Sequence, residues 1–320
     1  MSERVVRKAG GPEGSETGKT ILVFGATGQQ GGAVAKALIA RGWAVSALVR
    51  APDHPKAQSL SRLGITLFVG DFSDPGSLAS AMNGVYGVFS VQPSSGQGAV
   101  YSMTDEQEML YGKRVADIAN QKGVRHFVYT SVNAAGPEKT GMGHFDSKSE
   151  IEAHLRSLPL TNTIIRPSGF MELLMLPGMG LDKGKFLSFV RHDQTAQVIA
   201  VEDIGRIVAA IFSDPARYGG RTLEIAGDEI TGRRLEASLS RASGRPITFS
   251  RFPDGLLREN AFLGRLADLF DDGRLAGNAD LEALRREFGP LLSFDDWLAG
   301  PGRPLLEKAL TTPSTPLALR

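Results

Sequence analysis

The sequence contains one glycine-rich turn whose spacing suits the binding of phosphate groups. A four-residue apolar stretch precedes this turn, and a stretch with the helical spacing of apolar residues follows it. Gly25 permits the tight turn, Gly28 lacks the Cβ that would block a pyrophosphate, and Gly31 lets helix and strand pack closely. The N-terminus of the helix then faces the negative charge of the ligand. The predicted dinucleotide contacts in this turn are Gly25, Thr27, Gly28, Gln30 and Gly31.

The elements around this turn alternate between strand and helix, a pattern that favours a parallel sheet. The predicted strands cover residues 21–24, 43–49, 66–69, 85–91, 126–132, 162–167 and 222–227. The predicted helices include residues 106–119, 147–157 and 201–212, and residues 231–300 are predicted to be mostly helical. Ser147 and Glu150 have the spacing of a capping box, which predicts that the helix over 147–157 begins there.

These elements predict an α/β fold: a Rossmann-type doubly wound parallel sheet with a smaller, mostly helical C-terminal lobe. The expected parts are a flexible N-terminal extension (1–18), a cofactor-binding domain (19–167 plus 199–227), a substrate or partner lobe (168–198 plus 228–305) and a loosely ordered tail (306–320). The two ends are expected to be loosely ordered because they are polar or rich in small residues and Pro.

Composition and charge exclude several other classes of protein. The 320 residues are 42% hydrophobic, with 36 Lys and Arg against 35 Asp and Glu. Because this charge is balanced, no global field favours nucleic acid or an anionic membrane surface. The lack of Cys excludes disulfides, thiolate metal sites and Cys nucleophiles. Without a membrane-length apolar run, a signal sequence or a metal-ligand spacing, we expect a cytoplasmic protein that binds no metal.

Five motifs together resemble those of the NmrA-like family, a group of atypical short-chain dehydrogenases/reductases. In chain order they are GATGQQGG, GDFSD, HFDSK, IIRPSGFMEL and VEDIG. The resemblance covers about residues 20–305, and it implies a Rossmann fold that binds NADP(H). Members of the family include non-enzymic redox-sensing regulators as well as reductases of quinones, dyes or phenylpropanoid-type substrates. The resemblance therefore leaves catalytic activity open.

The end of the second strand predicts which nicotinamide nucleotide is bound. An NAD-selective site usually has Asp or Glu there, bonded to the ribose 2′-hydroxyl. In this sequence the strand ends in Val49-Arg50, and Asp53 comes only after the strand end. Arg50 can bind a 2′-phosphate through two N–H groups, and Lys56 adds positive charge nearby. NADP(H) is therefore predicted over NAD(H).

The resemblance implies further cofactor contacts along the carboxyl edge of the sheet. Asp71 would accept from the adenine amino group with Phe72 beside it, although an Asp there is equally expected in a turn or helix cap. After the fourth strand, Val91 and Gln92 would lie under the cofactor, and the SSGQG segment (94–98) is a candidate flap. The backbone after the sixth strand would contact the carboxamide. The residues predicted there are Pro167, Gly169 and Phe170.

The superfamily uses Ser, Tyr and Lys for catalysis, and the resemblance places these positions at Ser131, His144 and Lys148. The Tyr would donate a proton to the carbonyl oxygen, and the Lys would bind the nicotinamide ribose. The spacing is kept here, but His144 stands where the Tyr is expected. An imidazole can donate a proton near neutral pH, so His144 is a candidate acid. Alternatively, the Tyr is absent because no chemistry is required.

Two functions therefore remain open from the sequence. The first is an NADPH-dependent reductase of a small apolar carbonyl, quinone or enone, supported by Lys148 and by the Met- and Leu-rich segment 171–179. The second is a non-catalytic NADP(H) redox sensor that acts through a protein partner. Most apolar residues of segment 171–179 are expected to be core, and the oligomeric state is not predicted.

Overall fold

The predicted alternation of strands and helices is present in a computed structural model of the chain, which describes residues 18–94 and 103–313. The strands are β1 (Thr20–Val23), β2 (Ala44–Val49), β3 (Thr66–Val69), β4 (Gly87–Ser90), β5 (His126–Thr130), β6 (Asn162–Pro167), β7 (Gly169–Phe170), β8 (Lys185–Ser188), β9 (Thr195–Ile199), β10 (Thr222–Ile225), β11 (Asp228–Thr231) and β12 (Thr248–Arg251). Seven of them form one parallel sheet in the order β10-β6-β5-β4-β1-β2-β3. The direction of winding reverses between β1 and β4, and such a switch point opens a crevice at the carboxyl edge of the sheet.

Helices cover both faces of this sheet. The α-helices of the described residues, including those of the C-terminal lobe, are α1 (Gln29–Ala40), α2 (Pro55–Arg62), α3 (Pro75–Ala81), α4 (Asp105–Gln121), α5 (Gly143–Ser157), α6 (Val201–Ser213), α7 (Pro215–Tyr218), α8 (Gly232–Ser243), α9 (Asp254–Glu259), α10 (Ala261–Asp271), α11 (Leu281–Phe288), α12 (Phe294–Ala299) and α13 (Arg303–Thr311). One apolar core joins the sheet to α1 and α6, and a second joins it to α3, α4 and α5. In the described part of the chain, no helix is both long and apolar enough to cross a membrane.

The C-terminal lobe has a core of its own, in which Phe186, Leu235 and Trp297 are buried. It contains more strand than the sequence predicts: β7, β9 and β11 form one small sheet, and β8 pairs with β12. These strands are two to five residues long, too short to leave a clear alternating pattern. The boundary between domain and lobe stays a prediction.

Two sequence predictions about element bounds are wrong. Residues 306–311 are not a loosely ordered tail, because they belong to α13 and Leu306 is fully buried. The capping box of Ser147 and Glu150 does not exist, because α5 begins at Gly143 and Ser147 lies inside it. The earlier start is fixed by Asp146, whose carboxylate accepts hydrogen bonds of 2.7 and 2.8 Å from the backbone N–H and the hydroxyl of Thr140.

Several other predictions fall outside the described residues. These are the flexible extension up to residue 17, the flap residues 95–98 and the tail from residue 314.

Gly205 offers a test of how closely the helices are packed. A Cβ on this residue of α6 would lie 2.6 Å from the carbonyl oxygen of Ala33 in α1. Since that atom is backbone, the clash cannot be relieved by a rotamer change. We expect Gly205→Ala to lower the free energy of unfolding by about 1–3 kcal/mol in urea denaturation. Gly255→Ala in α9 is the control, because its Cβ would meet no atom within 4 Å; equal effects of the two substitutions would contradict the account.

Candidate functional site

The glycine-rich turn lies at the switch point between β1 and β4. Gly25 has a φ of +64°, and a Cβ there would lie 2.7 Å from Val91 Cγ1, at the end of β4. A Cβ on Gly31 would overlap the Gly25 carbonyl group and lie 2.7 Å from the Phe24 carbonyl oxygen. Only glycine therefore lets α1 approach β1 this closely. The predicted role of Gly31 in helix–strand packing follows from this geometry.

The N-terminus of α1 has the properties of an anion site. Its N-cap, Gly28, makes no side-chain capping bond, and the first turn contains no acidic residue. A Cβ on Gly28 would approach no atom closer than the Gly25 carbonyl oxygen, at 3.2 Å. This contact is tight, but it is much less severe than the overlap at Gly31. Thr27 is exposed at the same place. Since no acidic residue of the first turn offsets the positive end of the helix dipole, this end favours a bound phosphate.

Gln30 makes an internal contact. Its side chain is buried, and its Nε2 donates a 2.8 Å hydrogen bond to Thr130 Oγ1 at the end of β5. The bond ties the glycine-rich turn to a strand two places away in the sheet. Gln92 behaves similarly: its Nε2 donates to Ser90 Oγ at 2.8 Å. Both amides, predicted as cofactor contacts, therefore have a partner within the protein.

Arg50 and Asp71 lie at the carboxyl ends of the neighbouring strands β2 and β3. Arg50 is exposed directly after β2. Hydrogen bonds from Ser73 hold the pKa of Asp71 below its usual range, and the positive charge of Arg50 acts in the same direction. Asp71 Oδ1 accepts from the Ser73 N–H at 2.8 Å, which is the turn role that the sequence left open. Lys56 is exposed in the first turn of α2, close in sequence to Arg50.

Phe72 is held in an aromatic cluster beside Asp71. Its ring centroid lies 5.3 Å from that of Phe24 and 5.9 Å from that of Tyr111, with which it stacks. Its carbonyl oxygen accepts a 3.0 Å hydrogen bond from Arg114 in α4. These contacts fix the backbone that follows β3.

Lys148 and His144 share one face of α5, because both lie inside the helix and are four residues apart. The Lys148 ammonium forms an ion pair with Glu108 of α4. It also donates to the His144 carbonyl oxygen at 2.9 Å and to Ser94 Oγ at 3.3 Å. The side chains of Lys148 and Glu108 are 16% and 1% exposed. The arrangement places a fixed cation beside the segment that follows β4.

Sequence reasoning missed Glu108, although a signal for it was present. The buried residues of α4 include Gly112, Val115 and Ala119, and Glu108 continues the same stripe toward the N-terminus. A carboxylate on a buried stripe is rarely tolerated without a cationic partner. The pattern therefore indicates a buried ion pair, but it does not identify a partner 40 positions away.

His144 lies among aromatic rings. It is 8% exposed, and its ring centroid lies 3.9 Å from that of Phe145 and 5.6 Å from that of Phe262 in α10. The lobe therefore contributes a residue directly to the surroundings of the candidate acid.

Ser131 is associated with a different cluster. Its hydroxyl is buried and forms no hydrogen bond of good geometry. Burial alone would raise the pKa of Glu152, but the hydrogen bonds and positive charge of Arg166, together with the nearby Ser131 hydroxyl, bring that pKa below its usual range. Arg166 binds Glu152 through two bonds of 2.9 and 2.6 Å. Ser131 thus lies beside the ion pair of Glu152 and Arg166, and its predicted role in catalysis stays a prediction.

The segment after β6 passes from the sheet into the lobe. Pro167 is buried at the end of β6, whereas Gly169 and Phe170 form β7 and pair with β9. The Glu172 carboxylate accepts the N–H of Val201, the first residue of α6, at 3.1 Å. Burial raises the pKa of Glu172. The Glu172 carboxylate therefore caps the N-terminus of α6.

The apolar residues after β7 divide between core and surface. Met171 and Met175 are buried in the lobe core, as predicted for most of this segment. Leu173 and Leu176 are 43% and 40% exposed. Leu174 and Met179 are partly buried and pack against the lobe core.

Two cavities, of about 310 and 290 Å³, lie beside the loop over residues 133–139. None of the predicted site residues lines them. Within residues 18–94 and 103–313, no group of three or more His, Asp or Glu side chains could hold a metal ion.

Comparison with known proteins gives a family match. The model of the NmrA-like family matches residues 17–282. An NmrA-like family domain-containing oxidoreductase from Aspergillus hancockii is 29% identical over 257 residues, covering 73% of this chain and 75% of that protein.

Solved structures share the fold over most of both chains. An NADPH-dependent quinone oxidoreductase from Escherichia coli, solved with NADPH, has a TM-score of 0.70 and 26% identity, over 87% of this chain and 98% of that chain. NmrA, a negative transcriptional regulator solved with NADP, has a TM-score of 0.72 and 21% identity, over 90% of this chain and 97% of that chain. The predicted Rossmann-type fold is confirmed.

The two glycines Gly28 and Gly31 should respond differently to the same substitution. Gly31→Ala is expected to lower the melting temperature, because its Cβ overlaps backbone atoms. Gly28→Ala is expected to lower the melting temperature much less than Gly31→Ala while it weakens binding of NADPH, because its Cβ would lie in the phosphate position. Thermal unfolding and a fluorescence titration with NADPH measure the two effects. Unchanged NADPH affinity in Gly28→Ala would show that no phosphate approaches this residue.

Proposed function

The chain belongs to the NmrA-like family, and from this premise we propose that it is an NADPH-dependent reductase of a small apolar carbonyl, quinone or enone. The observation that carries this proposal is the placement of Lys148. Its ammonium is fixed on the face of α5 that also presents His144, beside the segment after β4. A protein that only held the nucleotide would need the lysine for the ribose, but it would not need a proton donor such as His144 on the same face.

The described residues fit an NADP nucleotide along the carboxyl edge of the sheet. The N-terminus of α1 would hold the pyrophosphate, Arg50 would bind the 2′-phosphate, and Lys148 would bind the nicotinamide ribose. The E. coli quinone oxidoreductase has been solved with NADPH, which supports the proposal. NmrA has been solved with NAD as well as NADP, so the fold alone does not decide between the two. For this chain the selection depends on Arg50.

The nicotinamide ring, when bound, supplies a hydride. The protein's own part is to hold the acceptor and provide a proton for its oxygen, and the proposal assigns this proton to His144. Phe145 and Phe262 surround the imidazole, and a flat aromatic acceptor suits such a site. Because a quinone is an easily reduced acceptor, it needs less help from an acid than a simple ketone does.

One observation favours a second function, that of a non-catalytic NADP(H) sensor. Phe262 lies against His144, and the imidazole is only 8% exposed. An acceptor must reach this group if it is to receive a proton from it. NmrA, which shares the fold, is described as a regulator of transcription. A sensor would bind NADP⁺ and NADPH unequally and would consume neither.

The cytoplasmic location of the protein stays a proposal.

Arg50 provides the test of cofactor selection. We expect Arg50→Glu to weaken NADPH binding roughly ten- to a hundredfold, the range of a charged hydrogen bond, and to change NADH binding little. Isothermal titration with both nucleotides measures the difference. Arg41→Glu is the matched control, since Arg41 is exposed at the other end of α1. Equal losses for NADPH and NADH would contradict a contact with the 2′-phosphate.

His144 and Lys148 provide the test of catalysis. With a panel of quinones and ketones, we expect Lys148→Ala to lower kcat/KM roughly tenfold or more, because a charged hydrogen bond to the ribose is lost. His144→Phe keeps an aromatic ring but cannot donate a proton, so it should lower kcat for ketones more than for quinones. The exposed Lys122→Ala is the control. NADPH binding without turnover of any acceptor by the wild type would favour the sensor.

A further inference from the structure

We propose that Glu108 is a positioning residue that holds the Lys148 ammonium in the direction required for cofactor binding. This inference rests on the proposed function, because it concerns the same site. Glu108 lies on α4 and acts on the cofactor only through Lys148. The sequence motifs of the glycine-rich turn and of α5 do not include it.

Burial makes the pair between Glu108 and Lys148 more than a surface ion pair. The Glu108 side chain is 1% exposed, and a buried carboxylate is costly unless a cation and hydrogen bonds satisfy it. Lys148 provides the cation at one carboxylate oxygen, and Ser94 Oγ donates to the other at 3.2 Å. Since the carboxylate cannot turn toward water, it fixes the position of the ammonium.

The first turn of α4, which carries Glu108, is itself well anchored. Thr104 Oγ1 accepts from the Gln107 N–H at 3.2 Å, and Gln107 Oε1 accepts from the Thr104 N–H at 3.0 Å. This reciprocal capping box holds the start of the helix. Asp105 packs against Gly143 so closely that a Cβ on that glycine would overlap its carboxylate. The first turns of α4 and α5 are therefore in direct contact.

The hydrogen bonds of the ammonium leave a place for the ribose. A lysine ammonium has three N–H donors. One goes to Glu108 and one to the His144 carbonyl oxygen at 2.9 Å, and both of these acceptors belong to helices. The third goes to Ser94 Oγ at 3.3 Å, the longest of the three contacts. A ribose hydroxyl can replace Ser94 while the two helix contacts keep the ammonium in place.

A double-mutant cycle on NADPH affinity tests the proposal. The variants are Glu108→Gln, Lys148→Ala and the double variant, with the exposed Glu106→Gln as the matched control on the same helix. We expect Glu108→Gln and Lys148→Ala each to weaken NADPH binding roughly tenfold or more. Glu108→Gln should cause no further loss when Lys148 is already Ala, because Glu108 acts through the lysine. Glu108→Asp should retain part of the affinity.

Urea unfolding of the same variants separates positioning from stability. Glu108→Gln leaves the largely buried Lys148 ammonium without its carboxylate, so its free energy of unfolding should be lower than that of the wild type. The double variant removes both charges, so its free energy of unfolding should be higher than that of Glu108→Gln. If Glu108→Gln lowers stability but binds NADPH like the wild type, the pair only holds helices together and the proposal is wrong. If the losses of NADPH affinity in the two single variants multiply in the double variant, Glu108 acts independently of Lys148 and the proposal is also wrong.

The outcomes also separate this inference from the proposed function. If the wild type binds NADPH but reduces no acceptor, the reductase proposal fails, while the cycle on binding still decides the role of Glu108. If Lys148→Ala binds NADPH as the wild type does, Lys148 is not a ribose contact. The proposed positioning role of Glu108 is then wrong as well.

Discussion

The contact between the start of α1 and the end of β1 is the constraint on which the rest of the site depends. A side chain at Gly31 would overlap the Gly25 carbonyl group, and a side chain at Gly25 would meet Val91. Glycine at these positions brings the positive end of α1 into the crevice between β1 and β4. Gln30 then ties the turn to β5 through Thr130, so that the phosphate end and the α5 end of the crevice belong to one rigid frame.

The opposite end of the crevice depends on electrostatics rather than on close backbone packing. Glu108 and Lys148 join α4 to α5, and the Lys148 ammonium also reaches Ser94 in the segment after β4. A second buried carboxylate, Glu152, binds α5 to β6 through Arg166 and receives Arg156 from its own helix. The two buried acids on neighbouring helices thus have different partners: Glu152 anchors α5 to the sheet through Arg166, and Glu108 holds the ammonium of Lys148, the proposed ribose contact.

The sequence predicts elements correctly where their positions depend on residues close together in the chain. The glycine spacing and the end of the second strand both depend on residues close together in the chain, and each lies where it was predicted. The start of α5 was predicted wrongly because Asp146 bonds backward to Thr140, a contact that competes with the capping box of Ser147. Glu108 was missed, and Phe262 was not expected beside His144, because both contacts join residues far apart in sequence. The short strands of the lobe carry too few residues for a period to be recognised.

The proposed reductase function requires an NADPH site at the switch point between β1 and β4, and it requires hydride transfer from the bound nucleotide. The most direct measurement is a titration of the purified protein with NADPH and NADH, followed by nicotinamide absorbance with a panel of small quinones. The account predicts preferential binding of NADPH and its consumption in the presence of at least one quinone. Equal affinity for the two nucleotides, or tight binding of NADPH without consumption across the panel, would contradict it.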